Sequence, residues 1–175
     1  MFSSPAPADA AKTEKTGPSS RRSPLIISEV MYHPATREDG ANLEFIEIYN
    51  SQPWWEELGN FRIDGDVRFT FPADARIDKL GYVVIAADPE AVKKAYGLEQ
   101  VFGPFTGRLA NSGGRLRLRN NLDAILFEVD YETRAPWPSS ADGAGHSLAL
   151  GRPSYGEMDV RASVSYTHLT LPTKA

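Results

Sequence analysis

General acid–base chemistry needs two carboxylates that converge on one bond. Glu44 and Glu47 raise the question, because both lie in the run Leu43-Glu-Phe-Ile-Glu-Ile-Tyr-Asn50. Side chains there alternate with a period of two, as in a half-buried strand. Residues three apart on a strand point to opposite faces, so these two carboxylates part rather than meet. With Ile46 and Ile48 inward, Phe45 and Glu47 are expected on the outer side. Asp64, Asp66 and nearby Asp74 or Asp78 carry oxygens that suit calcium. An EF-hand spreads such ligands over a loop of about 12 residues and closes on a Glu, a pattern missing here. Asp64-Gly65-Asp66 and Asp142-Gly-Ala-Gly145 read instead as turns. The histidines, His33, His146 and His168, lack the His-x-x-x-His spacing of zinc sites. No serine lies in a Gly-x-Ser-x-Gly elbow, and there is no cysteine to serve as ligand or nucleophile. The chain therefore reads as a non-enzyme, with no catalytic residue, no metal site and no cofactor.

Two surface features are better placed to bind something. Arg115, Arg117 and Arg119 share one outer face by the same period of two, with Arg108 upstream to extend it. Such a stripe suits phosphates, sulfated glycans or an acidic partner. It suits equally a solvated face partly neutralised by Glu128 across a hairpin. Trp54 and Trp55 follow Pro53 and precede Glu56 and Glu57 in a connection between strands. Adjacent tryptophans in a loop are hard to bury together. One reading has them plug an end of the fold with Trp137; the others present a ring as a protein anchor or a sugar platform.

The elements that must hold these residues follow from composition and pattern. The chain has 175 residues, a net charge of −4 and a pI near 5.4. That balance weighs against a general polyanion binder, since phosphate contacts need a basic surface. No apolar run approaches the ~18 residues of a membrane span; the longest is Tyr82-Val-Val-Ile-Ala-Ala87. Residues 1–24 are rich in Ala, Ser, Pro, Lys and Arg and read as a disordered tail or linker. They lack the apolar stretch of a signal peptide. Residues 153–163 read as a second linker. Residues 164–175 resemble translated sequencing-adapter read-through and are left out of the strand pattern.

Between the tails, strands are expected at 25–31, 43–50, 60–63, 67–71, 81–87, 115–119, 124–131 and 146–151. The all-apolar 81–87 is expected to be central. One short helix should occupy a loop, opened by Asp88 as N-cap with Pro89 behind it and closed by Gly97. A turn centred on Asn121-Leu122 would pair Leu118 with Ile125 and Leu116 with Phe127, setting Arg115 opposite Glu128. Leu116, Leu118, Ile125, Phe127 and Val129 would then share one buried face. Seven to nine such strands make an all-β, antiparallel sandwich.

The ordered set of pieces over residues 25–152 resembles the lamin tail domain of the bacterial kind. It comprises Ile27-Ser-Glu-Val-Met-Tyr32, Glu44-Phe-Ile-Glu-Ile-Tyr-Asn50, Gly59-Asn-Phe-Arg-Ile63, Phe69-Thr-Phe-Pro72 and Gly81-Tyr-Val-Val-Ile85. Asn111-Ser-Gly-Gly-Arg-Leu-Arg-Leu118 and Trp137-Pro-Ser-Ser-Ala-Asp-Gly-Ala-Gly-His-Ser-Leu148 complete it. Phe61 stands where that family usually has Trp. The resemblance implies an immunoglobulin-like fold and a module of an exported or cell-surface protein. Its implied role is attachment or spacing through a protein or glycan partner, without membrane insertion or nucleic acid. No heptad repeat accompanies it, so the filament role of nuclear lamins is not implied. Two alternatives stay open. One is an accessory domain of a truncated larger enzyme, spore-coat-kinase-like or hydrolase, whose chemistry lies elsewhere. The other is nucleic-acid binding through the arginine stripe.

Overall fold

Alternating side chains sort the chain into layers, because each strand must turn its apolar positions toward a common interior. The computed structural model describes residues 23–134, 139–150 and 163–166. In chain order the elements are β1 (Leu25–Met31), β2 (Phe45–Asn50), β3 (Glu56–Glu57), β4 (Arg62–Gly65), β5 (Val67–Thr70), β6 (Arg76–Ile77) and β7 (Tyr82–Ala86). Helix α1 (Pro89–Tyr96) follows, then β8 (Thr106–Gly107), β9 (Gly113–Arg119), β10 (Ile125–Glu132), β11 (Ser147–Leu150) and β12 (Ser163–Tyr166). A 3₁₀ turn, Ser139–Ala141, precedes β11.

The first sheet has the order β12-β11-β1-β2-β7, the second β10-β9-β4-β5-β8, and β3 pairs with β6 as a separate ribbon. Every named pairing is antiparallel. This is the expected antiparallel sandwich with one short helix. Of the twelve strands, β3, β6 and β8 are two residues long, too short to show alternation; the other nine have at least four. Ile46, Ile48, Ile85 and Leu148 of the first sheet meet Ile63, Val67, Leu116, Leu118, Phe127 and Tyr131 of the second in one core.

A second, smaller core lies on the far side of the first sheet. There Met31, Phe45, Val84 and Ala86 pack against Val92 of α1, with Tyr96 edge-on to Phe45 at 5.7 Å. The helix begins and ends as expected. Asp88 accepts the Ala91 N–H at 3.0 Å, and Gly97 closes it in the left-handed region at φ 69°.

This second core corrects the reading of residues 81–87. β7 is an edge strand, not a central one. It is apolar throughout because Val83 and Ile85 face the sandwich core while Val84 and Ala86 face the helix. Its outer edge is also occupied: Phe102 N–H donates to Val84 O at 2.8 Å and Phe102 O accepts from Ala86 N–H at 2.9 Å. An edge strand covered on all sides reads like a central one.

The β9–β10 register differs from the expected one by two residues. Leu118 faces Phe127, Leu116 faces Val129, Arg117 faces Glu128, and Arg115 faces Asp130 rather than Glu128. The turn is wider than expected. Asn120 Oδ1 accepts the N–H groups of Leu122 at 3.1 Å and Ala124 at 2.9 Å, and Asp123 sits at φ 68°. A bulge between Ile125 and Phe127 absorbs one more residue. An even shift preserves the faces, so Leu116, Leu118 and Phe127 stay buried. Ile125 is only half-buried and lies outside the core set, while Val129 packs against the core from a half-buried position.

Ser163–Tyr166 extend the first sheet beside β11. Residues 164–166 belong to the segment that resembles adapter read-through. The rest of that segment, His168, Trp137 and residues 1–22 lie outside the described residues. Among the described residues, no helix is long and apolar enough to cross a membrane.

Candidate functional site

Asn50, the last residue of β2, is fully buried and shapes one end of the sandwich. Its Nδ2 donates to Trp54 O at 2.8 Å and Asp78 O at 3.0 Å, while its Oδ1 accepts from Gln52 N–H at 3.0 Å. One side chain thus staples the loop after β2 to the loop after β6. Leu80 N–H adds a bond to Gln52 O at 2.9 Å. Leu80 itself sits at φ 50°, a region that bulky side chains rarely enter, and its side chain projects outward.

On this scaffold stand Trp54 at 56% exposure, Trp55 at 51%, Leu80 at 52% and Tyr82 at 38%. Neither tryptophan plugs the fold. Trp54 Nε1–H donates to Glu56 Oε1 at 2.9 Å, and the Arg76 guanidinium lies 4.7 Å from the Trp55 ring centroid. Tyr82 stacks on Tyr49 at 4.7 Å. These rings are exposed yet held, which suits contact by stacking and apolar burial.

The arginine stripe is present on the outer face of β9, but each member is engaged. Arg115 makes a two-pronged pair with Asp130 at 2.5 and 2.8 Å. Arg117 reaches Glu128 at 2.5 Å and Asp64 at 3.4 Å. Arg119 donates to Asp64 and, at 2.9 Å, to Asp123 O, and Arg62 pairs with Asp123. Four arginines thus balance Asp64, Asp123, Glu128 and Asp130. Arg108 does not extend the stripe; its partner is Glu44, at 3.3 Å.

The remaining candidates are spent on architecture. Glu44, buried, also accepts Leu109 N–H at 3.2 Å, on the face opposite Glu47. Asp66 accepts the N–H groups of Ala110 and Arg115, each at 3.2 Å, and the Tyr131 hydroxyl at 2.8 Å. Gly114 leaves room for it, since a Cβ there would come within 1.7 Å of Asp66 Oδ2. A cleft of about 650 Å³ opens over Asp66, Gly114, Arg115, Asp130, Tyr131 and Arg134. His33 Nδ1 lies 2.6 Å from Asp142 Oδ1 at the surface. Among the described residues, no three histidine, aspartate or glutamate side chains gather as metal ligands.

Sequence reasoning missed one pair. Glu29 of β1 lies directly across from Glu47 of β2, on the face that α1 partly covers. Both are buried, at 8% and 5% exposure. Ser147 Oγ donates to Glu29, and Ser28 Oγ donates to Glu47 Oε1 at 2.7 Å. Burial pushes Glu29 up to about 7, against the Ser147 hydrogen bond. Burial likewise pushes Glu47 up to about 7, against the Ser28 hydrogen bond and helped by the Glu29 charge. The available signal was two strands in hairpin order, each with a Glu on its outer side.

The family model described as Lamin Tail Domain matches residues 18–163, most of the chain. The chain belongs to the lamin tail domain family. No curated protein matches it. The match runs past both edges of the 25–152 strand pattern, taking in residues 18–24 and 153–163 that composition alone assigned to linkers. Every described element of this lamin tail domain from β1 to β11 falls inside it.

Proposed function

We propose that this lamin tail domain is a non-catalytic attachment module of an exported or cell-surface protein. Its contact surface would be the end formed by Trp54, Trp55, Leu80 and Tyr82. The observation that carries the reading is the pair of adjacent tryptophans, each more than half exposed and each held by a polar neighbour. Aromatic side chains fixed before binding contribute large contact area at small ordering cost. A protein partner or a glycan would both use such rings. The opposing charges of the β9 face leave no excess of cation there for phosphate, which is why that surface takes second place.

The test uses the whole chain on a panel of oligosaccharides and purified surface proteins, beside Trp54→Ala and Trp55→Ala. Binding that falls at least tenfold in either variant, with the melting temperature unchanged, supports the reading. Binding indifferent to both variants overturns the surface assignment. Turnover of a substrate by the purified chain overturns the non-catalytic one. Salt-sensitive duplex-DNA binding lost in Arg117→Ala would transfer the role to the arginine face.

A further inference from the structure

Glu29 and Glu47 have no part in the aromatic end, and their titration is independent of whether that end binds a partner. They are cross-strand neighbours in the middle of the first sheet, where β1 lies between β2 and β11. Glu29 therefore touches both seams: Glu47 on one side and, through the Ser147 hydroxyl, β11 on the other. The titratable groups facing the pair are Tyr49 of β2, Tyr82 of β7 and Tyr96 of α1. From β11 and β1 come only the hydroxyls of Ser147 and Ser28.

No Lys, Arg or His among the described residues forms an ion pair with either carboxyl, His146 beside Ser147 included. Neutral, the two carboxyls fit a buried site with one hydroxyl each. Ionised, they place like charges directly opposite each other with little solvent to screen them.

The two seams differ in strength. β1 and β2 share six partnered positions. β1 and β11 share two, Glu29 with Ala149 and Val30 with Leu148. Repulsion will be relieved where fewest contacts are lost, and β12 is tied to the sheet only through β11.

We infer that Glu29 and Glu47 form a proton-operated latch: the neutral pair keeps β11 seated on β1, and ionisation loosens that seam and β12 with it. Burial of both groups sets the changeover near neutral pH.

The experiment is a ¹³C titration of the glutamate side-chain carboxyls in the whole chain, with amide exchange followed on the same sample. The two carboxyls should change state near neutrality. After correction for intrinsic exchange, protection of the β11 amides relative to β2 should fall roughly tenfold or more between about pH 5 and about pH 8, each unit of displaced pKa being a factor of ten. Glu29→Gln keeps an oxygen for Ser147 and removes the charge, so it should abolish that fall. Carboxyl midpoints in the ordinary range overturn the latch. So does β11 protection that is independent of pH, or a loss shared equally by both sheets. The wild-type titration decides the matter even if the variant does not fold.

Discussion

On the outer face of β4, β9 and β10, four arginines meet four carboxylates in partly exposed pairs. On the outer face of β1, β2 and β11, two carboxylates lie buried with only serine hydroxyls beside them. The same kind of side chain, at the same period along its strand, behaves oppositely on the two faces. In water, an ion pair exchanges solvation for a Coulomb attraction of similar size, and little is left over. Under a helix, a carboxylate without a cation is better off holding its proton. Cover, rather than charge, separates an inert face from a responsive one.

The largest expected effect lies beneath both faces. Phe127 is 2% exposed and fills the shared core, so Phe127→Ala should cost about 3–5 kcal/mol in urea unfolding. Glu128→Ala, one residue along the same strand, should cost a small fraction of that. If the two were equal, the charged lattice would contribute as the core does, and the contrast between cover and charge would fail.

Next comes pH. The folded-state carboxyls of Glu29 and Glu47 are raised from 4.5 to about 7, so the native state holds protons that the unfolded chain releases. Their contribution is complete below the unfolded value, declines as pH rises from about 4.5 to about 7, and is gone above that. At about 1.4 kcal/mol per unit, the loss reaches roughly 3 kcal/mol per carboxyl as an upper figure. Glu47→Gln should flatten this part of the stability curve and leave the variant more stable than the parent at alkaline pH. Parallel curves for parent and variant would show that the buried face does not titrate as described.

Asp66→Ala should rank third. It strands three donors at once, the N–H groups of Ala110 and Arg115 and the Tyr131 hydroxyl. A loss of about 2–3 kcal/mol in urea unfolding is expected. Asp66→Asn keeps one acceptor oxygen and should recover part of it. A neutral effect of Asp66→Ala would mean that water replaces the carboxylate at all three donors.

The contrast between faces also marks what could be read from sequence. β1 is legible residue for residue because Leu25–Met31 is bounded by a proline on each side, at 24 and 34. The helix is legible because Asp88 and Gly97 act on their own neighbours. The hairpin register was not, since the Asn120 turn and the bulge after Ile125 are each worth one residue and alternation is blind to an even shift. The Glu29–Glu47 pairing could be drawn from hairpin order, but its burial could not. The elements that cover that face, α1 and β7, come from later in the chain, and period-two patterning says only which side a residue faces. For the tryptophans, sequence placed them in a loop, but exposure depended on Asn50 joining two loops 28 residues apart.

The smallest effect is the most direct test of the lattice itself. Arg115 and Asp130 have the best geometry on that face, two parallel bonds at 2.5 and 2.8 Å, and the hydrogen bond from Arg115 holds the Asp130 carboxyl below its usual range. Even so, the side chains keep 49% and 31% of their surface in solvent. Water and salt ions compete for both partners there, and holding a long arginine in one geometry costs rotamer freedom. A double-mutant cycle with Arg115→Ala and Asp130→Ala should return a coupling smaller than the Asp66→Ala loss, shrinking further as salt is added. A coupling that rivals the Glu47 effect and survives high salt would mean that these charges are screened from solvent after all. The two faces of the sandwich would then differ in the sign of their charges rather than in their cover.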